Sequence, residues 1–222
     1  VVVTVMEHHS NLVPWQLVAA RTGAVLRFID IDEQGRLNLD SFDALLTDRT
    51  RVVSITHVSN ALGTVNPVRE IADRAHAAGA VVIVDGAQSA PHLPISIEEL
   101  GCDFYAFSGQ KMCGPTGTGG LWGRRELLER MPPWMGGGDM IDRVELERST
   151  WAPLPTKFEA GTPNIAGAVG LGAAVDFLSG LGREWIVEHE RDLVGYALER
   201  LREVPELRIF GPEDPRTRSG VI

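Results

Sequence analysis

The run Val81-Val82-Ile83-Val84 is apolar at four consecutive positions and closes on a charged residue, Asp85. A strand with one wet face alternates polar and apolar residues, so an unbroken apolar run belongs in a sheet covered on both faces. Such sheets are built from parallel strands joined by helices, and the rest of the chain keeps that alternation. Strands are predicted over Val1–Met6, Ala24–Ile29, Arg51–His57, Ala80–Asp85, Phe104–Ser108 and Gly119–Trp122, each rich in Val, Ile or aromatic residues. Helices are predicted over Val13–Thr22, Ser41–Leu46, Val68–Ala78, Glu126–Met131, Ile165–Leu181 and Glu184–Val204. Pro67 at the first helical position and Gly79 just past the end bracket one of them, the usual proline-start, glycine-stop asymmetry. The fold class is therefore α/β with a mostly parallel sheet. The Pro/Gly-rich stretch Met131–Gly138 breaks the pattern, and Asp139–Pro155 has no strong period, so a long irregular excursion is expected there.

Composition closes off several classes of function. The chain is 44% hydrophobic and 23% charged, which is globular rather than disordered. A net charge of -9 argues against a nucleic-acid partner, which asks for a basic patch. The best apolar run, Ile165–Leu178, contains Asp176 and is too short to span a bilayer. Cys102 and Cys113 make no disulfide framework, so a reducing cytoplasm is the expected location. Val1–Val5 and Gly220-Val221-Ile222 both read as strand segments, and the chain is expected to be an internal fragment of a longer protein.

Of the 21 basic residues only Lys111 and Lys157 are lysines. Arginine neither loses its proton nor forms a stable imine, whereas a lysine does both. Base-composition bias explains the arginines, and it makes each surviving lysine worth placing.

In open α/β sheets, ligands bind beyond the carboxyl ends of the strands. Four predicted strands end in polar clusters: His8-His9, His57-Val58-Ser59-Asn60, Asp85-Gly86-Ala87-Gln88 and Ser108-Gly109-Gln110-Lys111. Each is weak alone; together they define one candidate site. Asp85 either caps the following turn or pairs with a buried cation such as a protonated ring nitrogen. Lys111 is either a loop lysine or an amine that swings between covalent partners. In an extended segment His8 and His9 would face opposite ways, so at most one joins the site. Gly114-Pro115-Thr116-Gly117-Thr118-Gly119-Gly120 lacks the Gly-Lys-Ser/Thr ending of a phosphate loop and is predicted to be a tight connection between strands. The cysteines and histidines have no zinc-ligand spacing.

A carboxylate for a pyridinium nitrogen and a lysine able to form a Schiff base are the two groups pyridoxal phosphate requires. Met6-Glu7-His8-His9-Ser10-Asn11, Thr56-His57-Val58-Ser59-Asn60, Val84-Asp85-Gly86-Ala87-Gln88, Phe107-Ser108-Gly109-Gln110-Lys111 and Phe158-Glu159-Ala160-Gly161-Thr162-Pro163-Asn164 together resemble the class V pyridoxal-phosphate enzymes. Met131-Pro132-Pro133-Trp134 and Gly136-Gly137-Gly138-Asp139-Met140-Ile141 narrow the resemblance to Suf-type cysteine desulfurases, with their selenocysteine-lyase relatives.

The resemblance implies the aspartate-aminotransferase-like fold (pyridoxal-phosphate transferase fold type I). Residues 1–183 would form its large cofactor-binding domain, and residues 184–222 a linking helix and the start of a truncated small domain. It makes Lys111 the Schiff-base lysine, Asp85 the partner of the pyridine nitrogen, and His8 the ring-stacking histidine that also takes part in proton transfer. Asn60 and Gln88 would bond ring substituents, and Ser108 the phosphate. Thr162 would reach the phosphate of a neighbouring subunit across a homodimer interface. Gln110 stands where the family usually has a phosphate-binding histidine; it donates a hydrogen bond without charge, which implies weaker cofactor affinity.

The activity implied is pyridoxal-phosphate-dependent removal of sulfur from L-cysteine. It gives alanine and an enzyme persulfide, whose sulfur passes to an acceptor protein for iron–sulfur cluster assembly. The family's nucleophilic cysteine matches neither Cys102 nor Cys113, Cys113 reading as a small packed residue, so these 222 residues alone are expected to be inactive. The competing readings are a selenocysteine lyase or other class V lyase, and a non-catalytic pyridoxal-phosphate-binding scaffold.

Overall fold

The computed structural model describes all residues 1–222. Six strands make one sheet: β1 (Val2–Thr4), β2 (Arg27–Ile29), β3 (Val52–Thr56), β4 (Val81–Asp85), β5 (Phe104–Ser108) and β6 (Gly119–Gly123). Their order is β2-β1-β3-β4-β5-β6. The first five are parallel and β6 runs antiparallel to β5. The connection β5–β6 is the glycine-rich segment, a tight link between strands as the sequence predicts.

The helices are α1 (His9–Thr22), α2 (Leu39–Leu45), α3 (Val68–Ala77), α4 (Ser89–His92), α5 (Ile97–Leu100), α6 (Arg125–Arg130), α7 (Ile165–Leu181) and α8 (Arg183–Arg202). No single helix is long and apolar enough to cross a membrane.

One face of the sheet carries the core. Val53 and Ile55 of β3 and Val82 and Val84 of β4 are fully buried and join Ile71, Ala72 and Ala75 of α3, with Phe42 of α2, in one cluster. Each large side chain so buried stabilises the fold by about 2 kcal/mol. Pleating sends the alternate residues to the other face. There α1 meets β3 through the Ser54 hydroxyl, which donates to Asn11 Oδ1 at 2.7 Å, and α1 has no fully buried residue. Val81 and Ile83 are only half-buried. The apolar run at β4 therefore lies against a dense core on one side and a thinner layer on the other.

Several boundaries differ from the sequence reading, each for a local reason. β1 stops at Thr4 because the Met6 amide turns back to donate to the Thr4 hydroxyl. α1 starts at His9, not Val13, since the His8 side chain caps it, and Pro14 falls inside the helix. Pro67 is the residue before α3 instead of its first residue, while Gly79 takes the left-handed φ of 76° expected past a helix end. The segment Asp139–Pro155 is not irregular: it holds the hairpin of β7 (Ile141–Val144) and β8 (Ser149–Trp151). Gly220–Ile222 does not form a strand; the chain there is tied to the loop after β3 by a single bridge, Thr64 to Arg218.

Candidate active site

The sheet order reverses between β1 and β3, and in parallel sheets a crevice opens at such a point beyond the strand ends. A cleft of about 480 Å³ lies there, and His8, Asn60, Asp85, Gln88, Ser108, Gln110 and Lys111 all line it. The four predicted polar clusters thus come together. Thr162 does not: it is exposed in the loop before α7, outside this cleft. Thr56 and Asn11 line the cleft as well. The sequence reading gave them no role, although both lie in the strand-end segments it singled out.

Asp85 shapes the following turn, the first of its two sequence readings. Its Oδ1 accepts the Ala87 amide N–H at 2.9 Å, which shapes the turn after β4. Neighbouring strands pair on both sides, Thr56 on one and Ala106 on the other, so the carboxyl group projects from the middle of the strand ends. Gly86 next to it is obligatory, because a Cβ there would meet the Tyr105 ring at 2.1 Å. That ring is itself fixed, its hydroxyl 2.7 Å from Ser89 Oγ, and burial pushes the phenol up to about 12.

Lys111 sits on the 3-10 turn Gly109–Met112, directly after β5. Gly109 allows the turn to pass close under Thr118; a Cβ would come within 2.2 Å of the Thr118 hydroxyl oxygen. Met112 is buried in the core while Gln110 and Lys111 are exposed. One turn therefore anchors itself by one side chain and presents two to the cleft. Cys113, expected to be a packed residue, is exposed and closes the turn in the left-handed region at φ 60°. Cys102 is the packed cysteine, its thiol pushed up to about 11 by burial. A thiol that is both inaccessible and hard to ionise is a poor nucleophile.

The other lysine is structural. Lys157 is buried, and its ammonium donates to the carbonyls of Leu128 (2.9 Å) and Glu129 (3.0 Å) at the end of α6.

The wall of the cleft at β1 rests on Glu7. Its Oε1 accepts from the Thr4 hydroxyl (2.6 Å) and the Thr56 amide (2.9 Å), and its Oε2 from Asn11 Nδ2 (2.6 Å). Burial raises its carboxyl above the ordinary range, and the hydrogen bonds oppose that shift. His8, one residue on, is not part of an extended pair with His9 as predicted. It caps α1, and His9 is the first helical residue. On the core side of the same strand ends, His57 is buried with no partner for Nδ1, and burial pulls its ring down to about 4.

The donor set fits pyridoxal phosphate. A carboxylate lies at the cleft wall for a protonated ring nitrogen, an accessible amine for the aldehyde, and hydroxyl and amide groups of Ser108, Gln110, Asn60 and Gln88 for the phosphate and ring substituents. No cluster of metal-ligating side chains competes with that reading.

Comparison with known proteins agrees with this fold. Residues 1–222 match the Aminotransferase class-V family. A probable cysteine desulfurase of Streptomyces coelicolor is 55% identical over 222 residues, which is 100% of this chain and 53% of that protein. The crystal structure of the cysteine desulfurase CsdA from Escherichia coli superposes with a TM-score of 0.93 at 42% identity, covering 96% of this chain and 53% of that one. A lysine-to-alanine mutant of C-DES, with glycine covalently linked to its PLP cofactor, superposes with a TM-score of 0.84 at 28% identity over 97% of this chain and 58% of that one. The chain spans about half the length of the curated relatives it matches.

Proposed function

Because the chain belongs to the class V aminotransferase family, with its pyridoxal-phosphate-type α/β fold, we propose that it is the cofactor-binding part of a cysteine desulfurase. The observation that carries this reading is the meeting of Asp85 and Lys111 in one cleft, at the ends of adjacent strands. The names of relatives at 50–55% identity support the substrate, L-cysteine. Residues 1–183 are read as the cofactor domain and residues 184–222 as the helix leading out of it.

Bound in the cleft, pyridoxal phosphate supplies an electron sink for charge developing at the substrate α-carbon. Lys111 provides the amine that holds the group covalently and gives way to the substrate amine. Asp85 keeps a proton on the ring nitrogen, since a carboxylate beside that atom favours its charged form. Ser108 and Gln110 donate hydrogen bonds to the phosphate, with Gln110 contributing no charge. Asn60 and Gln88 orient the ring through its substituents, and His8 flanks its face. Thr162, outside its own cleft, serves the cleft of a second subunit in a homodimer. The released sulfur passes to an acceptor protein and on to iron–sulfur clusters, in the cytoplasm.

The full-length protein, supplied with pyridoxal phosphate, L-cysteine and a reductant, is expected to release alanine and sulfide in equal amounts. Sulfide without alanine, or neither, would contradict the proposal.

A further inference from the structure

His8 stands at the N-terminus of α1, and its ring is held by the residue two positions on. Nδ1 accepts the Ser10 amide N–H at 3.2 Å and lies 2.9 Å from the Ser10 hydroxyl oxygen. The turn that carries them is locked. Glu7 binds β1 through Thr4, β3 through the Thr56 amide and α1 through Asn11. Asn11 Oδ1 in turn accepts from Ser54 (2.7 Å) and Trp15 Nε1 (3.3 Å). Flipping the imidazole to exchange its nitrogens would therefore cost the Ser10 contacts without any compensating movement of the backbone.

A ring nitrogen that accepts an N–H carries no proton, and in a neutral imidazole the proton then sits on the other nitrogen. We infer that Ser10 is a positioning residue that fixes His8 as the Nε2–H tautomer. The neutral ring accordingly offers the cleft a hydrogen-bond donor at Nε2 and has no lone pair there to accept a proton. Both residues line the cleft, so the acceptor is a negatively polarised oxygen or sulfur of whatever occupies it. The side chain acts there as a fixed dipole, and it does not serve as a base through that atom in its neutral form. This sharpens the proposed function by assigning a direction to the hydrogen bond made by His8. The tautomer itself stands on the geometry of the turn, whatever the reaction.

The test is the ring-nitrogen spectrum of the full-length protein labelled with nitrogen-15, with His8 assigned by its disappearance in His8→Gln. The expected result, with and without pyridoxal phosphate, is a protonated Nε2 and a bare, hydrogen-bonded Nδ1. Ser10→Ala removes the hydroxyl, keeps the amide donor, and is expected to keep that pattern. Ser10→Pro removes both donors at a first-turn position, where the backbone N–H has no intrahelical bond to lose. It should shift Nδ1 toward the protonated range and lower kcat on the order of 10-fold with KM little changed. A protonated Nδ1 in the wild type would overturn the inference, as would an unchanged ring spectrum in folded Ser10→Pro. Failure of the desulfurase reading is separable: alanine release from cysteine would be absent while the ring spectrum still reported the tautomer.

Discussion

Two lysines in one chain show how surroundings decide what an amine does. At the end of α6, Lys157 is buried and its ammonium is bound by two helix-terminal carbonyls. That is a compact cation satisfying carbonyls at a helix end, where the intrahelical ladder runs out of donors. At the end of β5, Lys111 is exposed on a tight turn at the cleft wall, with Asp85 at the end of the next strand. The same contrast holds more widely. Glu7, behind the cleft, has its hydrogen bonds made within the protein, whereas Gln110 and Lys111, exposed at the cleft wall, keep capacity for a ligand.

The contrast breaks most sharply at Lys111. In the full-length protein, Lys111→Ala should reduce the proposed desulfurase turnover by on the order of 1,000-fold or more, as loss of a covalently acting group does, with an unchanged melting temperature. Activity near wild type in that variant would place the chemistry elsewhere.

Acid should act on the supporting side instead of the cleft. The buried His57 ring titrates at about 4 in the folded protein against 6.5 for the free side chain. The unfolded chain therefore binds more protons between those values, and stability falls as pH drops from 6.5 to about 4. The loss from this group is about 3 kcal/mol, measurable by denaturant unfolding across that range. His57→Gln should lose correspondingly less over the same interval; an equal loss would show that other groups drive acid unfolding.

Asp85→Ala is expected to lower turnover on the order of 100-fold through loss of a fixed charge, and to cost about 1 kcal/mol of stability through loss of the turn contact to Ala87. A large stability loss with turnover intact would reverse the assignment. The smallest effect belongs to Lys157→Ala, which removes the ammonium from the Leu128 and Glu129 carbonyls and should destabilise by about 2 kcal/mol while KM for cysteine in the full-length protein stays unchanged.

The sheet was legible because buried parallel strands are continuous apolar runs, and β3, β4 and β5 announce themselves that way. The cleft was legible because parallel topology sends every strand end to the same side, so residues at 8, 60, 85 and 111 converge without any contact being known. What sequence hides is contact made by turns. The start of α1 was misplaced because an uncommon cap, a histidine ring, replaces the usual serine or aspartate. The β7–β8 hairpin was missed because both strands are short and largely exposed, so no core dictates an apolar pattern. Glu7 gained its meaning only when Thr4, Asn11 and Thr56, up to 49 positions away, closed around it.

The central claim is that the cofactor-bearing amine is Lys111. Borohydride reduction of the full-length protein with pyridoxal phosphate, followed by peptide mass mapping, tests it directly. The expected result is one added pyridoxyl phosphate group on the peptide containing Lys111 and none on the peptide containing Lys157. Modification at Lys157, or at neither lysine, would contradict the account.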